Sequence, residues 1–382
     1  MLFSSIPFLY YFLPSVLILY FIVPKKLKNT VLMLSSLVFY GWGEPKYVVL
    51  MIASIVIGYF SGILIEAFSQ KNLSKVFLGL SIAVNLGFLA YFKYADFFIE
   101  NFNAVTGLSI PLLRIALPIG ISFYTFQILS YTIDVYRKDV AAQKNIINLA
   151  AYITMFPQLI AGPIVRYSDI AKQLEERTHS FENFSKGIRR FIWGLGKKIL
   201  IANSLGELCD VFKASDDKSV LFYWLYAVAF GLHVYFDFSG YSDMAIGMGR
   251  CMGFHFNENF NHPYCANSIT DFWRRWHISL GSFFRDYVYI PLGGNRNHQI
   301  RNIIIVWALT GLWHGASWTF MLWGLYFGLV LVLEKYTLMR FIERVPRVVL
   351  HTYSFLMITF SWGIFYFDTI DAMGTFFKSF FG

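Results

Sequence analysis

Residues 270–323, TDFWRRWHISLGSFFRDYVYIPLGGNRNHQIRNIIIVWALTGLWHGASWTFMLW, carry two histidines, His277 and His314, with arginines, an Asp and a double glycine between them. His314 sits in an otherwise apolar run, residues 303–333. Hydrocarbon tolerates an ionisable ring poorly, so an imidazole placed there is a functional candidate by default. From Arg301, the last basic residue before it, to His314 is about 20 Å of helix at 1.5 Å per residue, which sets the ring well inside a hydrocarbon layer. Its neighbours Gly311, Trp313, Gly315 and Ala316 are mostly small, so another backbone or a thin substrate can approach closely. The plain alternative is a histidine hydrogen-bonded to a neighbouring helix.

His277 belongs to a different pattern. On a helical wheel, residues 271–287 put Phe272, Trp273, Trp276, Leu280, Phe283, Phe284 and Tyr287 on one arc of about 120°, with Arg275, Ser279 and Asp286 opposite. His277 falls just past the edge of the apolar arc, and Arg274 and Arg285 follow around the cylinder. One reading is an interfacial amphipathic helix with snorkelling arginines. The other is a cavity-lining helix that presents an imidazole with two guanidiniums alongside. Arginine forks suit phosphates, such as those of coenzyme A or a phosphopantetheine arm. Two histidines with a glycine-rich break between them favour a reaction centre.

The rest of the chain resembles the walls of such a centre. Of 382 residues, 57% are hydrophobic and only 14% charged, with mean hydropathy +0.52. A soluble domain carries about 25% charged residues, so most of this surface must face lipid. Aromatics at 20% agree, since Trp and Tyr gather at membrane interfaces. The class is an all-α, polytopic helical membrane protein. The net charge of +9 is dispersed among apolar spans; it fits basic cytoplasmic loops and gives no nucleic-acid stripe. Cys209, Cys251 and Cys265 form no CxxC pair, and their odd number argues against a disulfide framework.

In chain order, residues 6–23 form the first expected span, retained rather than cleaved because no basic n-region or A-x-A-like site accompanies it. Lys25, Lys26 and Lys28 then lie in the cytoplasm by the positive-inside bias. Residues 31–42 are short for a crossing; 47–68 return to Lys71 and Lys75, and 76–92 go out again. Residues 93–114 read as an external segment and 115–136 as the next span. Met155-Phe156-Pro157 and Ala161-Gly162-Pro163 point to a re-entrant or broken helix over 148–164. Residues 166–198 are polar and cytoplasmic, leading into a span around 188–208; 210–218 fall outside and 220–238 return. Residues 239–270 read as short helices lining a cavity near the inner face. Residues 303–320 and 319–333 make a tight hairpin, and 348–367 the last clear span. The sum is one domain, 1–382, of about ten crossings.

Other chemistries fit less well. A metal site calls for HExxH or clustered His and carboxylates, whereas His255 and His262 lack a carboxylate pattern. A serine hydrolase calls for G-x-S-x-G, which Ser239-Gly240-Tyr241-Ser242-Asp243 is not. The glycines of 247–253 imitate a nucleotide fingerprint without its strand or spacing.

Five long pieces carry a family resemblance: LPIGISFYTFQILSYTIDVYR (117–137), FPQLIAGPIVRY (156–167), YFDFSGYSDMAIGMGRCMGFHFNENFNHPY (235–264), DFWRRWHISLGSFFRDYVYIPLGGNR (271–296) and LTGLWHGASWTFMLWGLYFG (309–328). Together they resemble the membrane-bound O-acyltransferase (MBOAT) superfamily, and within it the alginate O-acetylase branch of bacterial polysaccharide acetyltransferases. The resemblance implies that His314 is the principal catalytic histidine and His277 its partner. Arg274, Arg285, Trp276, Trp313, Asn295 and Arg296 are the accompanying candidates for holding substrate or donor. It further implies a central aqueous funnel and no metal or permanently bound cofactor, with acetyl-coenzyme A or an acyl-carrier thioester as donor. The acceptor would be an exported cell-surface polysaccharide, reached with a separate extracytoplasmic acetyltransferase partner from a bacterial inner or plasma membrane. The chain stops at Phe381-Gly382 after one clear span beyond Arg347, where relatives of this branch continue through further spans. Two alternatives stand beside this one: D-alanyl transfer to teichoic acid from a carrier protein, and an ion-coupled transporter, which broken helices and midplane histidines also suit.

Overall fold

Pro7 pre-sets the first helical turn, and Val23 turns extended ahead of Pro24, so the first apolar stretch becomes helix α1, Pro7–Ile22. A computed structural model describes residues 1–215, 219–338, 341–367 and 369–381. Every regular element among them is helical, as the composition implied. Residues 216–218 of the expected outer loop, and Gly382, lie outside the described residues.

The helices fall into two compact units, residues 1–195 with 241–257, and residues 196–240 with 258–382. In the first unit α2 (Lys28–Gly43) and α3 (Val48–Ala67) follow α1. The next helix, α4 (Leu73–Thr106), corrects the expected boundary at residue 93. Its 34 residues run unbroken through Lys93, about 51 Å of helix, and close only at Gly107, which takes the left-handed conformation that glycine adopts freely. The span expected from residue 115 starts later, as α5 (Ile121–Arg137), because Pro111 and Pro118 keep the approach extended. Helices α3 and α5 meet through small residues: a Cβ on Gly62 would lie 2.4 Å from the Tyr131 hydroxyl, and one on Gly58 2.9 Å from Ile128.

The broken helix is present, as α6 (Ile146–Thr154) and α7 (Phe156–Leu159) about an extended Met155. Its freed backbone groups find partners, since the Phe156 N–H donates to Ser36 Oγ (3.1 Å) and Gln158 Nε2 to the Tyr152 carbonyl (2.7 Å). Such a break survives away from water only when its polar groups are satisfied. Short α8 (Tyr167–Glu175) precedes amphipathic α9 (Phe181–Gly196), whose Arg190 pairs with Asp243 at 2.9 Å.

Helix α9 runs on through a π-helical turn, Lys197–Ala202, into α10 (Asn203–Ala214). Arg189, Arg190, Lys197 and Lys198 make this run amphipathic, and it is not among the described helices that are long and apolar enough to cross a membrane. Helix α11 (Val220–Cys251) is likewise longer than expected. Its last turns take in residues 239–251, which had been assigned to short cavity helices. Five described helices are long and apolar enough to cross a membrane: α3, α4, α11, and in the second unit α15 (Trp318–Tyr336) and most of α16 (Arg347–Tyr366).

The second unit also holds α12 (Ile269–Arg275), α13 (Ile278–Phe284), α14 (Gln299–His314) and α17 (Ile370–Phe381). The α14–α15 hairpin is the expected one. Its two helices touch backbone to backbone, for a Cβ on Gly324 would meet the Trp307 carbonyl at 2.2 Å and one on Gly311 the Phe320 carbonyl at 2.3 Å.

Candidate active site

The single helix drawn over residues 271–287 does not form. Trp276 is extended and His277 left-handed, at φ 45° and ψ 52°, so α12 stops and α13 starts afresh. A helical wheel carried through that joint mixes two axes, which is why His277 seemed to lie at an apolar edge. It lies instead at the elbow, 2% exposed.

Asn259 holds it there. The Ser279 backbone N–H (3.3 Å) and hydroxyl (2.8 Å) donate to Asn259 Oδ1, the Ile278 N–H donates to the Asn259 carbonyl (3.0 Å), and His277 Nδ1 stands 3.1 Å from the same Oδ1. A backbone N–H can only donate, so that side-chain atom is the amide oxygen, and Nδ1 must carry the proton that reaches it. Nε2 is then the bare, accepting nitrogen. It is buried and makes no hydrogen bond among the described residues. Phe238 meets the imidazole edge-on at 4.7 Å and Trp313 at 5.7 Å. Burial first, and then the neighbouring His314, hold the His277 pKa well below the usual imidazole range, so the ring is neutral at ordinary pH.

Trp313 also contacts His314, at 4.9 Å between rings, so one indole touches both imidazoles. His314 is the last residue of α14 and is half-buried among Trp313, Trp323 (4.9 Å) and Phe365 (5.2 Å). The close approach that its small neighbours permit is taken by protein: a Cβ on Gly315 would overlap the Phe320 ring at 2.2 Å.

His277 lines a cavity of about 950 Å³ together with Arg274, Trp276, Arg285, Asn295 and Lys335. His314, Trp313 and Arg296 are not among its lining residues; Arg296 is exposed on the 290–298 turn. Two left-handed glycines, Gly293 and Gly294, shape that turn, and buried Asn302 anchors it by donating to the carbonyls of Gly294 (3.0 Å) and Asn297 (2.7 Å). Arg285 is paired with Asp286 (2.6 Å), while Arg274 and Lys335 are exposed and make no ion pair among the described residues.

Sequence reasoning misses Asn259 and Glu334 and gives Ser279 only as part of a polar helix face. Buried Glu334 accepts from the N–H groups of Ile269 and Thr270 and from the Thr270 hydroxyl, fixing the start of α12. Its one sequence signal is a carboxylate directly at the end of an apolar run. Asn259 offered none, since its partner lies across an irregular loop.

With this arrangement in view, comparison with known proteins is decisive. The profile of the MBOAT, membrane-bound O-acyltransferase family, matches residues 87–373. The chain belongs to the membrane-bound O-acyltransferase family. It is 43% identical over 380 residues to the probable alginate O-acetylase AlgI of Azotobacter vinelandii, covering 97% of this chain and 76% of that one. Against the peptidoglycan O-acetyltransferase of Helicobacter pylori it is 34% identical, over 96% and 77%. The teichoic acid D-alanyltransferase of Bacillus subtilis is a more distant relative, at 29% over 54% of this chain and 56% of that protein. This MBOAT chain is therefore a membrane acyltransferase.

Proposed function

We propose that the protein moves an acetyl group from a cytosolic thioester, acetyl-coenzyme A or an acyl carrier, to hydroxyls of an exported cell-surface polysaccharide. The observation that carries the reading is His277, its Nε2 bare and buried, in the lining of a cavity with unpaired cations and one indole away from His314. In this account about ten crossings set the site within a bacterial inner membrane, and an extracytoplasmic partner enzyme completes delivery to the glycan.

His314 takes the proton of the acceptor hydroxyl as its oxygen attacks the thioester carbonyl. The C–O bond forms, the C–S bond breaks, and the proton passes to the departing thiolate. An imidazole, able to accept and then return one proton, suits that exchange. The tautomer of His277 narrows its part: bare Nε2 accepts a hydrogen bond and so orients the acceptor hydroxyl, whereas an oxyanion would need a donor. Arg274 and Lys335 are placed to meet the phosphates of the donor. Because the thioester is already activated, no enzyme nucleophile is required.

The test uses purified protein in proteoliposomes, supplied with radiolabelled acetyl-coenzyme A or with D-alanyl carrier protein. Acetyl label reaching polysaccharide supports the proposal. D-alanyl transfer alone would shift it to the teichoic-acid reaction, and solute counterflow without acyl transfer would replace it by a carrier.

A further inference from the structure

A second polar cluster lies far along the sequence from the histidine pair, where α1 ends. Tyr20 is fully buried, and its hydroxyl donates to the Met252 carbonyl (2.6 Å) while accepting from Arg177 Nε (2.7 Å). His179 Nε2 stands 2.9 Å from the same oxygen. With the hydroxyl proton committed to Met252, His179 Nε2 must be the donor. Lys28 Nζ lies 4.4 Å from the Tyr20 ring centroid and 5.0 Å from that of Phe21; the Arg177 guanidinium shares the Tyr20 ring at 5.6 Å and stacks on Phe254 at 4.5 Å. Asn29 ties the start of α2 to α8 by donating to the Leu174 carbonyl at 2.7 Å, so Lys28 and Arg177 are held together.

No carboxylate among the described residues pairs with Lys28 or Arg177. Lys28 is only 9% exposed and makes no ion pair among the described residues. Arg177 spends Nε on Tyr20 and Nη1 on the Gln173 and Leu174 carbonyls, yet its Nη2 is buried with no hydrogen-bond partner. Burial first, and then the positive charges of Arg177 and Lys25, lower the proton affinity of Lys28; burial, and then Lys28, Arg177 and Lys25, lower that of His179. Clustered cations with an orphaned guanidinium N–H suit a phosphate group.

We propose that Lys25, Lys28, Arg177 and His179 bind the phosphate of an anionic membrane lipid. The last turns of α1 beside them expose Ile18, Leu19, Phe21 and Ile22, a surface for an acyl chain that ends at the level of the cations. Lipid headgroups and basic residues meet at that depth.

The test is lipid retention. Wild type, Lys28→Gln, Arg177→Gln and the charge-keeping Arg177→Lys are extracted from mixed phosphatidylcholine–phosphatidylglycerol membranes, and co-purifying lipid is counted by native mass spectrometry. Thermal stability in nanodiscs of either lipid, with and without inorganic phosphate, is measured in parallel. Wild type is expected to retain phosphatidylglycerol and to gain stability from it. Each Gln variant loses about fivefold in retention per cation removed, with Arg177→Lys between. Equal retention by folded Gln variants and wild type would overturn the proposal. So would stabilisation by inorganic phosphate alone, which would make the ligand a soluble phosphate.

Discussion

At the residue scale the account turns on which nitrogen of His277 is bare. Asn259 Oδ1 fixes it, and stranding a buried hydrogen-bond partner of this kind costs about 1–3 kcal/mol, roughly 5- to 150-fold in rate. Asn259→Leu is expected to lower kcat by that factor while the fold persists, read as acetyl transfer per folded molecule. Because burial depresses the His277 pKa, the neutral base survives acidification through the ordinary imidazole range. The acid limb of the pH–rate profile should therefore lie below about pH 6.5 if it reports His277. Asn259→Asp, which stabilises the imidazolium, should move that limb to higher pH; an unmoved limb would assign it to another group. The same shift gives a stability sign. Below about pH 6.5 the unfolded chain takes up a proton that the buried ring refuses, so stability declines as pH falls and is uncompromised above it.

At the scale of elements, the α14–α15 hairpin and the start of α12 position the two histidines. Gly324→Ala drives a methyl into the Trp307 carbonyl, an overpacking of about 1–3 kcal/mol, expected as a lowered melting temperature in detergent with activity falling in step. Glu334→Ala strands the Ile269 and Thr270 N–H groups, again about 1–3 kcal/mol, and should loosen α12 as read by amide exchange. Two X-Pro breaks in a short apolar run make the broken α6–α7 pair legible in the sequence, and two adjoining apolar stretches make the hairpin so. The elbow at His277 was not, because nothing in RRWHISL breaks a helix by propensity. It exists for the tertiary bonds of Asn259, made across an irregular loop. Charge likewise sets the expected boundary too early at Lys93, where a long helix carries the lysine through.

For the whole molecule, composition alone sufficed to class the chain as an all-helical membrane protein, and the long motifs placed it in its family. The basic residues after α1 set the expectation that this end of the helix faces the cytoplasm. A single cysteine replacing Lys26, in a background without Cys209, Cys251 and Cys265, should react with an impermeant maleimide only after the inner membrane is opened. Labelling of intact spheroplasts would invert the topology and put the donor side outside.

The central claim is that His277 and His314, brought together by Trp313, serve one reaction. The most direct measurement is a double-mutant cycle of acetyl transfer with His277→Ala and His314→Ala, each checked for folding in detergent. Residues acting as a unit predict that either single variant falls close to background and that the double variant is no worse than the weaker single. Wild-type transfer by folded His314→Ala, or losses that simply multiply, would contradict it.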